Sequence, residues 1–321
     1  MSGGRTRLGI AATVMAVLFT VAAAAQTYPQ KSVRMILPYT AGSPNDVIAR
    51  IVGPQLSARL GQPVVIENRP GGGTLIGVKA VLAAEPDGHT LMFSNTPTHV
   101  IAQGKGAYDP LNDFVPIVAV ASTSLVLVVA PAVPANSLPE FIAYAKANPG
   151  KLNFGYGQGT LPHLVGEAFK RVTGTDIASV SYRGGAQAIT DMLGGRIHMN
   201  FGSGATLLPL IREGKVKPLA VTSQARSQDL PDVPTMAEHG LPSLTTLTYY
   251  GLLAPAGTPT RVVDRINAEI NEALKSSDWR LIMTRAGFEP VGGTPRMFAD
   301  LIAEQLRHWT PIVQATGFQM N

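Results

Sequence analysis

The sequence predicts an α/β protein built as two Rossmann-like lobes joined by a hinge. Three observations predict it. Short apolar runs rich in β-branched residues alternate with helical patterns, the signature of parallel α/β units. That alternation runs through the chain twice, with extended stretches between the two sets. The 321 residues, 45% hydrophobic and 15% charged, are enough for two cores and exclude a disordered chain or a charge-rich coiled coil.

The first 25 residues read as an export signal. Arg5 and Arg7 precede an apolar run from Leu8 to Ala22, and Ala23-Ala24-Ala25 stands before Gln26. A basic start, a short apolar stretch and small residues before a polar one describe a cleaved secretory peptide. The run is short for a spanning helix, which wants about 20 apolar residues. Cleavage is expected after Ala25, and no cysteine is present to carry a lipid anchor. Removal of Arg5 and Arg7 lowers the net charge from +5 to +3, so basicity says little about a nucleic-acid partner. The expected location is the periplasm.

In the first half, Val33–Leu37 is a strand, Asp46–Leu60 a helix with apolar residues at three-to-four spacing, and Gly61 its stop. Val64–Ile66 is a strand, Leu75–Ala84 a helix and Thr90–Phe93 a strand. A β-rich stretch from Ile117 to Val129 is interrupted near Ala121–Ser124. The second set follows: helix Leu138–Ala147, strand Leu152–Gly155, helix His163–Thr173, strand Ala178–Ser181, helix Ala186–Leu193, strand Ile197–Phe201 and strand Val216–Val221. Thr246–Ala254 is strand-like, and helices Pro259–Lys275 and Met297–Val313 close the chain. The expected division is 26–122 with 250–300 as lobe one, and 123–249 with 301–321 as lobe two. Ligands of such sheets bind beyond the carboxyl ends of the strands, so the site is expected between the lobes.

Several function classes have no residues to support them. Zero cysteines remove disulfides, thiolate catalysis and cysteine metal sites. The six histidines, His89, His99, His163, His198, His239 and His308, show no ligand spacing, so no metal is expected. Neither Gly-x-Ser-x-Gly nor His-Glu-x-x-His occurs. Aromatics make up 6% and no basic run exists, so no nucleic-acid partner is expected. No cofactor signature is present either.

Two glycine-rich loops stand where a ligand would lie. The segment 38–46, Pro-Tyr-Thr-Ala-Gly-Ser-Pro-Asn-Asp, links the first strand to the first helix. Small residues admit close backbone approach, and a helix start offers unpaired N–H groups to an anion. An ordinary strand-to-helix turn capped near Asp46 is the equal alternative. The segment 154–163, Phe-Gly-Tyr-Gly-Gln-Gly-Thr-Leu-Pro-His, repeats the device in the second half. It is not a dinucleotide fingerprint, because Thr160 takes the place of the third glycine, and no Gly-Lys-Ser/Thr follows. His163 reads as structural or ligand-contacting rather than as a catalytic base.

These strings together resemble the Bug (TctC-like) family, extracytoplasmic solute receptors of tripartite tricarboxylate transporters. The resembling blocks are Pro38–Arg50, Val65–Gly73, Gly155–Glu167 with its His163-Leu164-Val165-Gly166-Glu167 ending, Tyr182–Gly185, Leu219–Thr222, Leu230–Thr235 and Leu253–Pro259. The resemblance covers the mature chain. It implies a type II periplasmic binding fold of the Venus-flytrap kind that closes around a small carboxylate, held by backbone amides, hydroxyls and waters. Carried over by position, Tyr39, Ala41, Gly42, Ser43 and Asp46 would shape the first-lobe pocket, with Ser94 and Thr96 in the next strand-end loop. Tyr156, Gly157, Gln158, Gly159, Thr160 and His163 would form the second-lobe cradle, with Tyr182, Arg183, Gly184 and Ser203 beside it.

This sequence departs from the family pattern at three places. Ser43 replaces a second glycine, Tyr156 and Gln158 stand where smaller residues are common, and Gly202 replaces an acidic residue that reads a ligand amino or hydroxyl group. The last change favours a plain mono- or dicarboxylate over an amino acid. An acid usual after Asp191 is His198 here, read as structural or as a surface exchange. The expected function is capture of a carboxylate for membrane transporter subunits by a monomer without enzymatic activity. The same fold as a ligand-loaded partner of a sensor kinase, or an exported hydrolase, are the rivals.

Overall fold

In the computed structural model, the described residues are 28–96, 98–99, 108–158, 160–182 and 184–316. The export signal expected at 1–25, Gly159 and Arg183 lie outside them. Two sheets organise the chain. Among the described residues the first has six strands and the second five.

The first sheet begins with β1 (Val33–Leu37), β2 (Val64–Asn68) and β3 (Thr90–Asn95), all mutually parallel. Helices α1 (Pro44–Leu60) and α2 (Leu75–Leu82) connect them. Strand alternation buries both faces. Met35, Leu37, Leu91 and Phe93 enter one core, while Ile36 and Met92 enter the other. Ser43 caps α1 by accepting the Asp46 N–H, and Pro44 supplies a preset first-turn φ, so the helix starts two residues before the expected Asp46. Gly61 ends it in the left-handed conformation, its N–H on the Ser57 carbonyl.

The chain then crosses between sheets. β4 (Phe114–Thr123) runs in the first, and after Ser124 the chain continues as β5 (Leu125–Val129) in the second. Helix α3 (Leu138–Ala147) leads to β6 (Asn153–Gly157), α4 (Leu161–Thr173), β7 (Ala178–Tyr182), α5 (Gly185–Leu193), β8 (Met199–Ser203), α6 (Gly204–Arg212) and β9 (Lys217–Val221). β6, β7 and β8 are parallel, and β5 runs antiparallel between β8 and β9. Gly166 of α4 is needed for its closeness to β6, since a Cβ there would come within 1.9 Å of the Phe154 ring.

β10 (Thr248–Pro255) returns to the first sheet between β3 and β4, followed by α7 (Thr260–Ala273), α8 (Ser277–Arg285), β11 (Glu289–Pro290) and α9 (Pro295–Thr316). Helix α9 packs on β4 and α7 and also touches α4. Its Phe298, Ile302, Leu306, Trp309 and Val313 belong to one core that continues from the first sheet into the second lobe. The lobe division expected at residue 300 falls inside this one helix.

Candidate functional site

The carboxyl ends of the two parallel triplets carry the loops singled out in the sequence. In the first lobe β1 ends at Leu37, β2 at Asn68 and β3 at Asn95, ahead of Thr96; in the second β6 ends at Gly157, β7 at Tyr182 and β8 at Ser203. Four of these six ends lead through short turns into α1, α2, α4 and α5, and β8 runs directly into α6; the first N–H groups of these helices have no acceptor within their own helix.

The first-lobe loop is tied from behind. The buried Asp46 carboxylate accepts the Gly42 N–H at 2.9 Å, Arg50 Nε at 2.9 Å and Asn68 Nδ2 at 3.0 Å. Asn68 Nδ2 also donates to the Tyr39 carbonyl at 3.2 Å, and Arg50 reaches Asn68 Oδ1 at 3.3 Å. Burial alone would raise the Asp46 pKa, but the bonds from Arg50, Gly42 and Asn68 outweigh it and hold the carboxyl below its usual range. Gly42 has φ +76°, which a residue with a Cβ adopts only with strain. The Tyr39 hydroxyl donates to Asn95 Oδ1 at 2.9 Å and meets the Thr98 hydroxyl, with Ser94 Oγ at 3.4 Å. Ser94 and Thr96 are buried, and Thr96 Oγ1 accepts the Tyr249 N–H at 3.3 Å. Ala41 and Gly42 are exposed and Ser43 partly so.

In the second lobe two donors are engaged within the protein itself. The Thr160 hydroxyl donates to the Gly157 carbonyl at 2.7 Å, so its proton closes the loop rather than facing outward. The Gln158 N–H is bonded to the Tyr182 carbonyl at 3.0 Å, which removes it from the set available to an anion, although the Gln158 side chain is exposed. Tyr182 also turns its hydroxyl to Asp191 Oδ2 at 2.7 Å. Tyr156 and His163 are buried and stacked. Gly184, at the start of α5, has open space where a side chain would stand. Ser203 Oγ pairs with Thr206 Oγ1 at 2.6 Å. Of the alternatives for His198, the structure takes the structural one: its Nδ1 accepts the Asn153 N–H at 3.0 Å.

Asn68, Asn95 and Asn200 were not expected from the sequence. Asn200 is buried and donates to the Gly155 carbonyl at 2.7 Å, fixing β8 to β6 beneath the second loop. For Asn68 and Asn95 a polar amide at the carboxyl end of a parallel strand was the available signal, whereas Asn200, the second residue of β8, carried none. Among the described residues no group of three or more His, Asp or Glu is placed to hold a metal, and no helix is long and apolar enough to cross a membrane.

Two α/β lobes, crossed twice by the chain and carrying helix-start loops at their strand ends, define a type II periplasmic binding fold. The family described as tripartite tricarboxylate transporter family receptor matches residues 48–318, and the chain belongs to that family. Protein BugT of Bordetella pertussis is 36% identical over 303 residues, 92% of this chain and 93% of its own length. The solved structure of Rhodopseudomonas palustris Rpa4515 with adipate shares 31% identity and a TM-score of 0.84, over 90% of this chain and 98% of that one. MatC of the same organism, with bound malate, shares 31% and 0.82, over 89% and 100%. The protein is a solute-binding receptor of the Bug type, and not an enzyme.

Proposed function

We propose that the protein is exported to the periplasm, loses residues 1–25, captures a small carboxylate between its lobes and delivers it to membrane transporter subunits. The observation that carries this reading is the pair of helix-start loops, 38–46 and 154–163, neither of which contains a lysine or arginine. The starts of α4 and α5 have no side-chain cap and offer backbone N–H groups that favour an anion without a dedicated cation, while α1, whose Asp46 N–H is taken by Ser43, adds the positive end of its dipole. In the second lobe the donors would be the N–H groups from Gly159 onward into α4, with Arg183 and Gly184 alongside. In the first lobe Tyr39, Ala41, Gly42, Ser43, Ser94 and Thr96 would close the pocket. The adipate and malate held by the two relatives point to a dicarboxylate of four to six carbons. Ligand contacts on both lobes would favour closure about the crossings near 121–124 and 246–249.

The test is a thermal-shift and calorimetry series over mono-, di- and tricarboxylates. A ligand at 100 times its Kd stabilises the folded state by about 2.7 kcal/mol. The expected outcome is one-to-one binding of a dicarboxylate with no product formed. Failure of every carboxylate to shift the melting temperature would reject the reading.

A further inference from the structure

We infer that Asn68 and Asp46 are positioning residues that hold the first-lobe loop in its ligand-ready shape before any ligand arrives. The inference rests on the carboxylate-receptor reading for its consequence, and on geometry alone for the brace itself.

Asp46 and Asn68 together reach two separated points of the loop. Asp46 fixes Gly42 through its N–H, and Asn68 fixes Tyr39 through its carbonyl. Asn68 and Asp46 are also bonded to each other at 3.0 Å, so the end of β2 and the first turn of α1 grip the loop as one unit. The Asp46 N–H in turn goes to Ser43 Oγ, which adds a third point one residue beyond Gly42. Asp46 is only 4% exposed, and Gly42, Arg50 and Asn68 together occupy both of its carboxylate oxygens. A buried carboxylate so engaged would repel an anionic ligand if it faced one, and Arg50 at 2.9 Å offsets that charge. Asp46 therefore acts from behind the loop rather than as a group touching the ligand.

The loop needs such a brace. It contains Gly42, whose backbone is free to leave its left-handed conformation, and Ala41 and Gly42 are exposed with little side chain to anchor them. A loop that is competent only part of the time lowers the apparent affinity by that fraction. The loss should then fall on the association rate, because the braced and unbraced proteins form the same complex.

The experiment follows amide exchange of the ligand-free full-length mature protein across residues 38–47, in wild type, Asn68→Ala and Asn68→Asp. The Asp variant keeps the size of the side chain but replaces its donor with an acceptor. Both variants should exchange faster in this segment, with the remaining strands of the first sheet unchanged. Malate and adipate binding by stopped flow should show an association rate about tenfold lower in both variants, with dissociation unaltered. Unchanged exchange at 38–47 overturns the proposal. So does acceleration spread evenly over the sheet, or wild-type behaviour of Asn68→Asp, which would assign Asn68 a filling role only. If wild type binds no carboxylate the receptor reading fails, while the exchange measurement still decides on the brace.

Discussion

The imidazole of His163 lies flat on the phenol ring of Tyr156, with centroids 3.7 Å apart and planes within 9°. Both rings are buried at the first turn of α4. Burial pushes the His163 pKa down to about 4, and the nearby Glu167 raises it only in part. The ring is therefore neutral at pH 7 and offers a carboxylate no charge. Carboxylate affinity should vary less than about twofold between pH 6.5 and 8. Calorimetry in two buffers of different ionisation enthalpy should find no proton taken up; uptake of one proton per ligand would reject a neutral His163.

Two glycines separate folding from binding. Gly166→Ala drives a Cβ to 1.9 Å from the Phe154 ring, in the close packing of α4 on β6. It should cost about 3 kcal/mol or more, read by urea unfolding. Gly184→Ala meets nothing within 4 Å and keeps an extended φ of −164° that any residue adopts. It should leave stability within about 0.5 kcal/mol. A loss of carboxylate binding in the Gly184 variant then reports contact with the ligand, and unaltered binding removes Gly184 from the site.

Elements with strong periodicity were legible in the sequence. β1 and α3 fall at their expected bounds, Val33–Leu37 and Leu138–Ala147. Strand ends were less so: β3, β6 and β8 each run two residues beyond expectation, to Asn95, Gly157 and Ser203. Those residues are polar or small because they border the site, so the apolar pattern stops before the ladder does. Helices α6 and α8 were missed. The first carries Pro209 in its interior, and the second exposes Leu281 and Ile282 while burying only Trp279 and Met283, so neither shows a clean stripe. The two loops were legible from glycine spacing and helix starts. Which donors remain outward was not: the Gln158 N–H goes to Tyr182, a partner that only the pairing of β6 with β7 brings close, and the Thr160 hydroxyl turns back to Gly157 three residues earlier, which glycine spacing does not specify.

The two chain crossings are joined at Thr222, whose backbone N–H and C=O bond to Leu125 and Thr246 and whose hydroxyl bonds to both again. Thr222 Oγ1 accepts the Leu125 N–H at 2.9 Å and donates to the Thr246 carbonyl at 2.9 Å, and the residue is wholly buried. Thr222→Val keeps the shape and strands a buried N–H and a carbonyl. It should destabilise by about 1–3 kcal/mol in urea unfolding, whereas Thr222→Ser should cost well under half of that. Equal losses in the two variants would mean that the methyl group, and not the hydroxyl, matters at this crossing.

Acid should weaken the fold through His99. This residue is 1% exposed, with the edges of Tyr108 and Phe114 nearby and no hydrogen-bond partner for either ring nitrogen among the described residues. Burial lowers its pKa from 6.5 to about 4. The direction follows from proton counting. Between these values the unfolded chain binds a proton that the folded chain refuses, so unfolding is favoured as pH falls. The contribution to stability is complete above pH 6.5 and is lost progressively toward pH 4. From pH 7 to pH 5 the loss from this residue is about 2 kcal/mol. His99→Phe replaces the ring with one that cannot titrate and that suits the aromatic surroundings. Urea unfolding of both proteins at pH 7 and pH 5 should show the variant losing about 2 kcal/mol less than wild type over that interval. His163 supplies a similar slope to both proteins, so the difference between them isolates His99. Equal losses in the two proteins would show that the His99 ring takes its proton without unfolding.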